Sequence, residues 1–273
     1  MKRVSRRSFI IGGATALLAY SLFEVRLLRV KRYTISIQGL PPALGGLTVL
    51  HLSDLHDKQF GESQKELLDL IHQQDFDLVA ITGDLVNRKN PKVRPGLELV
   101  EGLQDKPVYF VPGNHDWWVG FEYRDRLAGA GVRVLENRAE KFAVAGEHLW
   151  VVGVDDPYTG RDNLDKALAG VTDSAPRLLL AHAPNIYEAA VKSGIDLALV
   201  GHTHGGQVRL PLIGAVVVPG QGFFPKLDYG LYTTGKTTMI INGGLGESHL
   251  PIRFNIKPEI VLVSLRPALG VPG

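Results

Sequence analysis

The chain has 273 residues, 45% of them hydrophobic and 21% charged, and contains no cysteine. That length supports a sizeable core in one large domain or two small ones, and the composition excludes a disordered chain. The net charge of +2 hides an asymmetry: residues 1–33 hold eight Lys/Arg against one acid and the remainder 22 against 27, which argues against a nucleic-acid-binding face.

Missing thiols exclude disulfides, cysteine nucleophiles and thiolate zinc sites, and leave oxygen and imidazole as the strong metal ligands. They do not identify a compartment. The first element is basic and then apolar. Lys2-Arg3 and Ser5-Arg6-Arg7-Ser8-Phe9-Ile10 precede an uncharged run from Phe9 to Phe23. A basic segment ahead of about fifteen apolar residues reads as an export signal. The paired arginines between serines resemble a twin-arginine signal, an address read by a receptor. The run is shorter than the ~20 residues that comfortably span a bilayer. Ala14-Thr15-Ala16 lies too early for a clear cleavage site. Residues 1–31 are therefore expected as a signal or as a retained anchor at the membrane, and residues 32–273 as one exported domain. Its place would be the periplasm, the cell wall or the outer face of the cytoplasmic membrane.

From Arg32 to Gln38 polar and apolar residues alternate, as in a half-exposed strand. Leu47 to Ser53 is nearly continuous in apolar residues, which suits a strand buried on both faces. Glu62 to Gln74 carries Leu67, Leu68, Leu70 and Ile71 at helical spacing, with Ser63 as N-cap. Phe76 to Thr82 is the next buried strand, Pro95 to Gln104 a short helix, 107–111 a strand, and Phe121 to Ala130 a helix ended by Gly131. This alternation predicts β-α-β units on a parallel sheet.

The second half is more strand-like. Val132 to Leu135, Phe142 to Val144 and Leu149 to Val154 are short and β-branched. Leu164 to Leu168 and Ile186 to Val191 are brief helices capped by Asn163 and Asn185, and strands are expected at 215–218, 237–242 and 259–265. No repeat or Ser/Pro-rich linker interrupts the chain. The prediction is one α/β domain of two stacked sheets covered by helices.

Five apolar strands deliver chemistry at their ends. Val49 to Ser53 leads into Asp54-Leu55-His56, and Leu78 to Thr82 into Gly83-Asp84. Pro107 to Val111 leads toward Gly113-Asn114-His115-Asp116, Leu178 to Ala181 into His182, and Leu197 to Val200 into Gly201-His202-Thr203-His204. Open α/β sheets bind ligands at such C-terminal strand ends. The spacing of Asp54/His56 and of His202/His204 sends both members of each pair to one side of a strand. Seven donors, Asp54, His56, Asp84, Asn114, His182, His202 and His204, are too many for one tetrahedral site. They fit two divalent ions about 3.5–4 Å apart with one carboxylate shared. Mixed oxygen and imidazole ligation suits Mn, Fe or Zn and does not choose between them.

The order of these motifs over residues 47–210 resembles the calcineurin-like metallophosphoesterases. The resemblance implies a four-layer αββα sandwich of two mixed β-sheets flanked by helices. It implies Asp54, His56 and His204 on a first metal, Asn114, His182 and His202 on a second, and Asp84 bridging them. It makes His115 a catalytic residue that donates a proton to the leaving alkoxide or holds the phosphoryl oxygen, with catalytic Asp116 fixing its tautomer. Two cations lower the pKa of a bound water and neutralise phosphate oxygens. The expected reaction is thus hydrolysis of a phosphodiester or pyrophosphate bond by hydroxide. Gly205-Gly206-Gln207, Gly244-Leu245-Gly246, Leu250-Pro251-Ile252-Arg253-Phe254 and Pro258-Glu259-Ile260 look like the exported bacterial branch. Some of its members resemble enzymes hydrolysing UDP-2,3-diacylglucosamine, which favours a lipid-linked or nucleotide-sugar substrate. Three alternatives stay open: a non-catalytic metal-binding envelope protein, a phosphomonoesterase or protein phosphatase, and a metallo-amidase.

The remaining candidates divide. His51 points away from Asp54 and His56 and reads as packing or support. His72 and His148 read as surface positions, and His249 lies in a Gly-rich loop that is either cleft lining or plain turn. Asp155-Asp156-Pro157 and Arg161 are turn chemistry or a cleft edge. Arg209 and Arg253 either grip a phosphate or pair with Glu259 or Asp228. Phe223-Phe224 is an apolar loop tip, for an acyl chain, a membrane surface or packing, and Trp117-Trp118 walls the site or closes the core.

Overall fold

The computed structural model describes residues 5–248 and 250–268; the expectations on Lys2, Arg3 and His249 lie outside them. Apolar runs flanked by Gly, Pro and Asp become strands, and the leucine-spaced stretches become the helices between them. Helix α1 (Arg6–Glu24) leads to strands β1 (Arg29–Ile37) and β2 (Thr48–Leu52). Then come α2 (Lys65–His72), β3 (Leu78–Thr82), α3 (Val93–Glu101), β4 (Val108–Val111), α4 (Asn114–Trp118), α5 (Arg124–Gly129) and β5 (Arg133–Val134). The next elements are β6 (Arg138–Val144), β7 (Glu147–Gly153), α6 (Leu164–Leu168), β8 (Arg177–Leu180), α7 (Tyr187–Lys192) and β9 (Leu197–Val200). Two small hairpins follow, β10 (Arg209–Leu210) with β11 (Gly214–Ala215) and β12 (Val217–Val218) with β13 (Gly222–Phe223). Strands β14 (Gly230–Thr234), β15 (Thr237–Ile241) and β16 (Glu259–Pro267) complete the chain.

Two six-stranded mixed sheets result, in the orders β1-β16-β2-β3-β4-β5 and β14-β15-β9-β8-β7-β6. In the first, β2 to β5 run parallel and β16 is antiparallel to β2. In the second, β15, β9, β8 and β7 run parallel, and β14 and β6 are antiparallel edges. The alternation of the strands explains the layering. Val49, Leu78, Tyr109 and Val263 on the inner face of the first sheet meet Val151, Leu180, Leu199 and Ile240 of the second. Their neighbours Leu50, Ile81 and Phe110 point outward onto Leu67, Ile71, Val100 and Leu127 of the helices. Val152, Leu179 and Val200 do the same beneath Leu164, Ala167 and Ala190. The architecture is the expected αββα sandwich.

Several local expectations need correction. Ser63 does not cap α2: it lies at φ 50 inside a 3-10 turn, and the helix starts at Lys65 behind Gln64. The Gln64 amide does not cap it either; it accepts from Phe60 N and donates to Lys58 O and Pro95 O, while Glu66 N in the first turn of α2 donates to Phe60 O. Asn163 does cap α6, accepting from Lys166 N. Asn185 caps nothing; it sits in a 3-10 turn over Pro184–Ile186 and donates to Pro157 O. The stretch 215–218 splits between two hairpins, and β14, an edge strand with Thr233 and Thr234 exposed, is not anticipated at all.

Candidate metal centre

The parallel strands β2, β3 and β4 of one sheet and β8 and β9 of the other end at the same seam. Each releases its polar residues there. Asp54, His56 and His204 form one buried group whose donor atoms lie within 4.8 Å of one another; Asp84, His182 and His202 form a second. All seven expected donors converge. The pleat is not what aims them, however. Asp54 (φ 53), His56 (φ 48), Asp84 (φ 54), His202 (φ 69) and His204 (φ 51) all have left-handed backbone. Such conformations are costly outside glycine and cluster at functional sites. Here the chain turns sharply just past each strand end, so the paired His202 and His204 enter different groups.

Each carboxylate has one oxygen held and one released to the cage. Asp54 Oδ2 accepts from Ser53 Oγ (2.6 Å) and His202 N (3.0 Å), while Oδ1 faces His56 Nε2 at 3.7 Å and His204 Nε2 at 3.5 Å. Asp84 Oδ1 accepts from His115 N at 2.8 Å, and Oδ2 lies 3.6 Å from His56 Nε2 and 3.3 Å from His182 Nε2. His182 donates from Nδ1 to Thr82 O (2.8 Å), which turns the lone pair of Nε2 toward Asn114 Oδ1 and His202 Nδ1, both at 3.1 Å. His56 Nε2 and His204 Nε2 stand 3.0 Å apart. Donors about 2.0–2.2 Å from a shared cation sit roughly 3–3.5 Å from each other, so these separations suit ions. Asp54 Oδ1, buried without any hydrogen-bond donor, points the same way.

Close approach explains the glycines. A Cβ on Gly113 would come within 2.3 Å of Asp84 Oδ1, and one on Gly201 within 1.9 Å of Ser53 Oγ. The electrostatics follow from burial against charge. Burial opposes ionisation of Asp54 and Asp84, yet the surrounding histidines hold both below the usual carboxylate range. Burial holds His202 at about 3 and His204 well below its ordinary value, so both are neutral donors. His56 and His182 are raised, because Asp54 and Asp84 outweigh their burial.

The profile of the calcineurin-like phosphoesterases matches residues 47–206, the stretch that carries every one of these donors. The chain belongs to that family. Its members are hydrolases. The chain is 28% identical to the uncharacterized metallophosphoesterase YkuE of Bacillus subtilis (strain 168), over 97% of this chain and 99% of that one. It is 34% identical to YkoQ of the same organism, over 85% and 88%. With the phosphodiesterase YaeI of Escherichia coli (strain K12) it shares 30% over 80% and 81%. The solved structure of TT1561 of Thermus thermophilus shares the fold at a TM-score of 0.50 and 16% identity, over 73% of this chain and 90% of that one.

In this phosphoesterase a cavity of about 440 Å³ opens over the donors. Asp84, Asn114, His115, His202 and His204 floor it; Trp118, Tyr158, Val217, Pro219, Leu250 and Ile252 wall it. His115 accepts from Arg88 N at Nδ1 (3.1 Å). That bond, not Asp116, sets its tautomer and leaves the proton of the neutral ring on Nε2. Asp116 instead accepts from Asp84 N, Leu85 N, Gly113 N and Tyr123 Oη, bracing the turns that carry Asp84 and Asn114. Burial and the Asp84 charge push Asp116 up to about 7 against those four donors. Burial also pushes His115 down, to about 4.

The other candidates resolve into supports. His51 is buried with Nε2 2.8 Å from Thr82 Oγ1. His72 is exposed and meets Gly102 O; half-buried His148 meets Asp173. Arg209 pairs with Asp228. Arg253 is fully buried, paired with Glu247 rather than Glu259 or Asp228, and is closed to a phosphate. Asp155 accepts from Trp117 Nε1, Asp156 accepts from Tyr158 N and Thr159 N in a turn, and Arg161 stacks on Trp117. Sequence reasoning missed Arg88 and Tyr158, whose ring lies 4.4 Å from that of His202. The only signal for Arg88 is its place four residues beyond Asp84.

Proposed function

We propose that the seam is a binuclear centre hydrolysing a phosphodiester or pyrophosphate bond. Asp54, His56 and His204 would hold one divalent ion (Mn, Fe or Zn), Asn114, His182 and His202 the other, and Asp84 both. One observation carries this reading: a single oxygen, Asp84 Oδ2, faces His56 of one group and His182 of the other at 3.6 and 3.3 Å. When bound, two such cations acidify water and offset the charge of a phosphoryl group. The chain supplies the rest. His115, neutral and protonated on Nε2, hydrogen-bonds a phosphoryl oxygen or hands its proton to the departing one. Arg88 N, which donates to Nδ1, and Asp84 Oδ1, which accepts from the His115 main chain, hold that ring in register. Apolar walls on a polar floor favour a substrate with bulk beyond the phosphate, hence a diester or pyrophosphate, lipid-linked or attached to a nucleotide sugar. A purely metal-binding protein would leave His115 idle, and a monoesterase of small substrates would leave the apolar walls unused.

Residues 5–10 support export: Ser5 accepts from Ser8 N at the start of α1, leaving Arg6 and Arg7 exposed. In this reading the domain works outside the cytoplasm, with residues 1–31 as signal or anchor.

The test is hydrolysis of bis-p-nitrophenyl phosphate with Mn²⁺, alongside metal analysis. Asp84→Ala should remove activity and lower metal content together, and His115→Gln should keep the metal while flattening one limb of the pH profile. Full turnover by Asp84→Ala after loss of metal would sink the proposal.

A further inference from the structure

Three segments far apart in sequence meet beside the cleft. The excursion between β9 and β14 and the one between β15 and β16 join through Arg209 N to Phe254 O (2.9 Å), Phe254 N to Gln207 O (2.8 Å) and Gln207 Nε2 to Leu250 O (2.9 Å). The end of α1 docks on the second excursion: Arg253 N donates to Ser21 O, Asn255 N to Glu24 Oε2, and Tyr20 meets Phe254 edge-on at 5.6 Å. The three segments are therefore neighbours beside the cleft, with cleft-wall residues Val217 and Leu250 among their members.

Their exposed surface is apolar where a soluble face would be polar. Among the described residues sixteen large hydrophobic side chains are exposed; thirteen lie in residues 11–23, 210–224 and 250, and Trp118 and Tyr158 line the cleft beside them, so only Leu231 is elsewhere. Leu212 is exposed completely, and Phe223 and Phe224 are 75% and 69% exposed at the small hairpins. Single exposed hydrophobics are ordinary, but such a concentration marks an interaction site. Its charge is one-sided as well. Residues 5–26, 205–227 and 248–257 contain the exposed Arg6, Arg7, Arg26 and Lys226, the half-buried Lys257, and one acid, Glu24, which is buried; Arg209 and Arg253 in the same segments are spent on ion pairs. The flanking Asp228 and Glu247 are occupied by Arg209 and by Lys58 and Arg253. Exposed cations without exposed acids, interleaved with protruding Leu, Ile and Phe, complement an anionic lipid interface.

We propose that this face docks on an anionic bilayer surface, with the hairpin tips inserted among the headgroups and the cleft mouth held at the interface. Among the described residues no helix is long and apolar enough to cross a membrane; α1 lies in the interface in this arrangement. The net negative remainder of the domain is repelled from the same surface, which fixes the orientation. The docking does not rest on the hydrolytic reading. Joined to it, docking gives the cleft lateral access to phosphoesters carried by lipids.

The experiment is co-sedimentation of the full chain with vesicles of phosphatidylcholine, with and without phosphatidylglycerol. The parent protein should bind the anionic vesicles at least roughly tenfold better than neutral ones, and lose that binding in high salt. Phe223→Ser with Phe224→Ser, and separately Leu212→Ser with Ile213→Ser, should each weaken binding by roughly tenfold or more. Lys226→Glu should weaken only the anionic preference. Thermal unfolding and hydrolysis of bis-p-nitrophenyl phosphate should be unchanged in all three. Indifference of the parent protein to both vesicles, or binding untouched by these substitutions, overturns the proposal. So does self-association abolished by the same substitutions, which would make a second copy the occupant. Vesicle binding without phosphodiesterase activity would leave the docking standing and remove the hydrolytic reading instead.

Discussion

His51 stands behind the candidate metal centre, three residues before Asp54, and shows how burial sets pH behaviour. Its ring is wholly buried against Thr82, and burial pushes its pKa from 6.5 down to about 3. The unfolded chain takes up this proton near 6.5 and the folded chain only near 3. Protons therefore favour the unfolded state as the pH falls through that window, and stability falls with it. At pH 5 the deficit is about 2 kcal/mol. His51→Gln keeps an amide in reach of Thr82 and removes the titration. Between about pH 7.5 and 5 it should lose about 2 kcal/mol less than the parent in chemical denaturation; parallel losses would mean that His51 does not stay neutral when folded. The same scale shows what the sequence hides. The Asp54, His56, Asp84 and His202 side chains were legible as donors, but their left-handed backbone was not, because nothing in a non-glycine residue announces positive φ. The role given to Asp116 failed for a related reason: adjacency in sequence says little once α4 carries neighbouring side chains around its axis.

At the scale of elements, the segment 243–257 is organised by Arg253. Its guanidinium, fully buried, donates to Gly243 O, Gly244 O and Gly246 O and pairs with Glu247. Gly244 lies against Asp54, where an added Cβ would approach to 2.9 Å. Arg253→Met would leave those carbonyls and part of the Glu247 charge unmet, destabilising the fold by about 3 kcal/mol. It should also raise the metal concentration needed for half-occupancy; an unchanged denaturation midpoint would contradict this account. The buried strands β2, β3, β4, β8 and β9 were readable because continuous apolar runs have few other uses. Helix starts were read less well. The first turn of α2 is met by the main-chain oxygen of Phe60 rather than by a short hydroxyl, which no residue type announces, and the turn at Pro184 takes the place of the expected first helical turn of α7. Strand β14 escaped because an exposed edge rich in Thr, Gly and Tyr has neither alternation nor an apolar run.

Across the whole molecule, the donors come from both sheets: Asp54, His56, Asp84 and Asn114 from one, His182, His202 and His204 from the other. A cation bound between them joins two layers that otherwise meet through side-chain packing and a few hydrogen bonds at the seam, such as His182 Nδ1 to Thr82 O and His202 N to Asp54 Oδ2. Ligands that bind only the folded state stabilise it by mass action, about 2.7 kcal/mol at a hundredfold excess over Kd. A chelator should therefore lower the unfolding temperature of the entire domain in one transition. A melt left unmoved by chelation would separate the ions from the integrity of the sandwich.

The seam has a consequence for distant positions. Tyr109 and Leu180 fill the space between the layers, and both are completely buried. Trimming either lets one slab slide or tilt against the other by fractions of an ångström, and the two halves of the cage then fall out of alignment. Such a variant would fold, keep every ligand, and still be recorded as a catalytic defect.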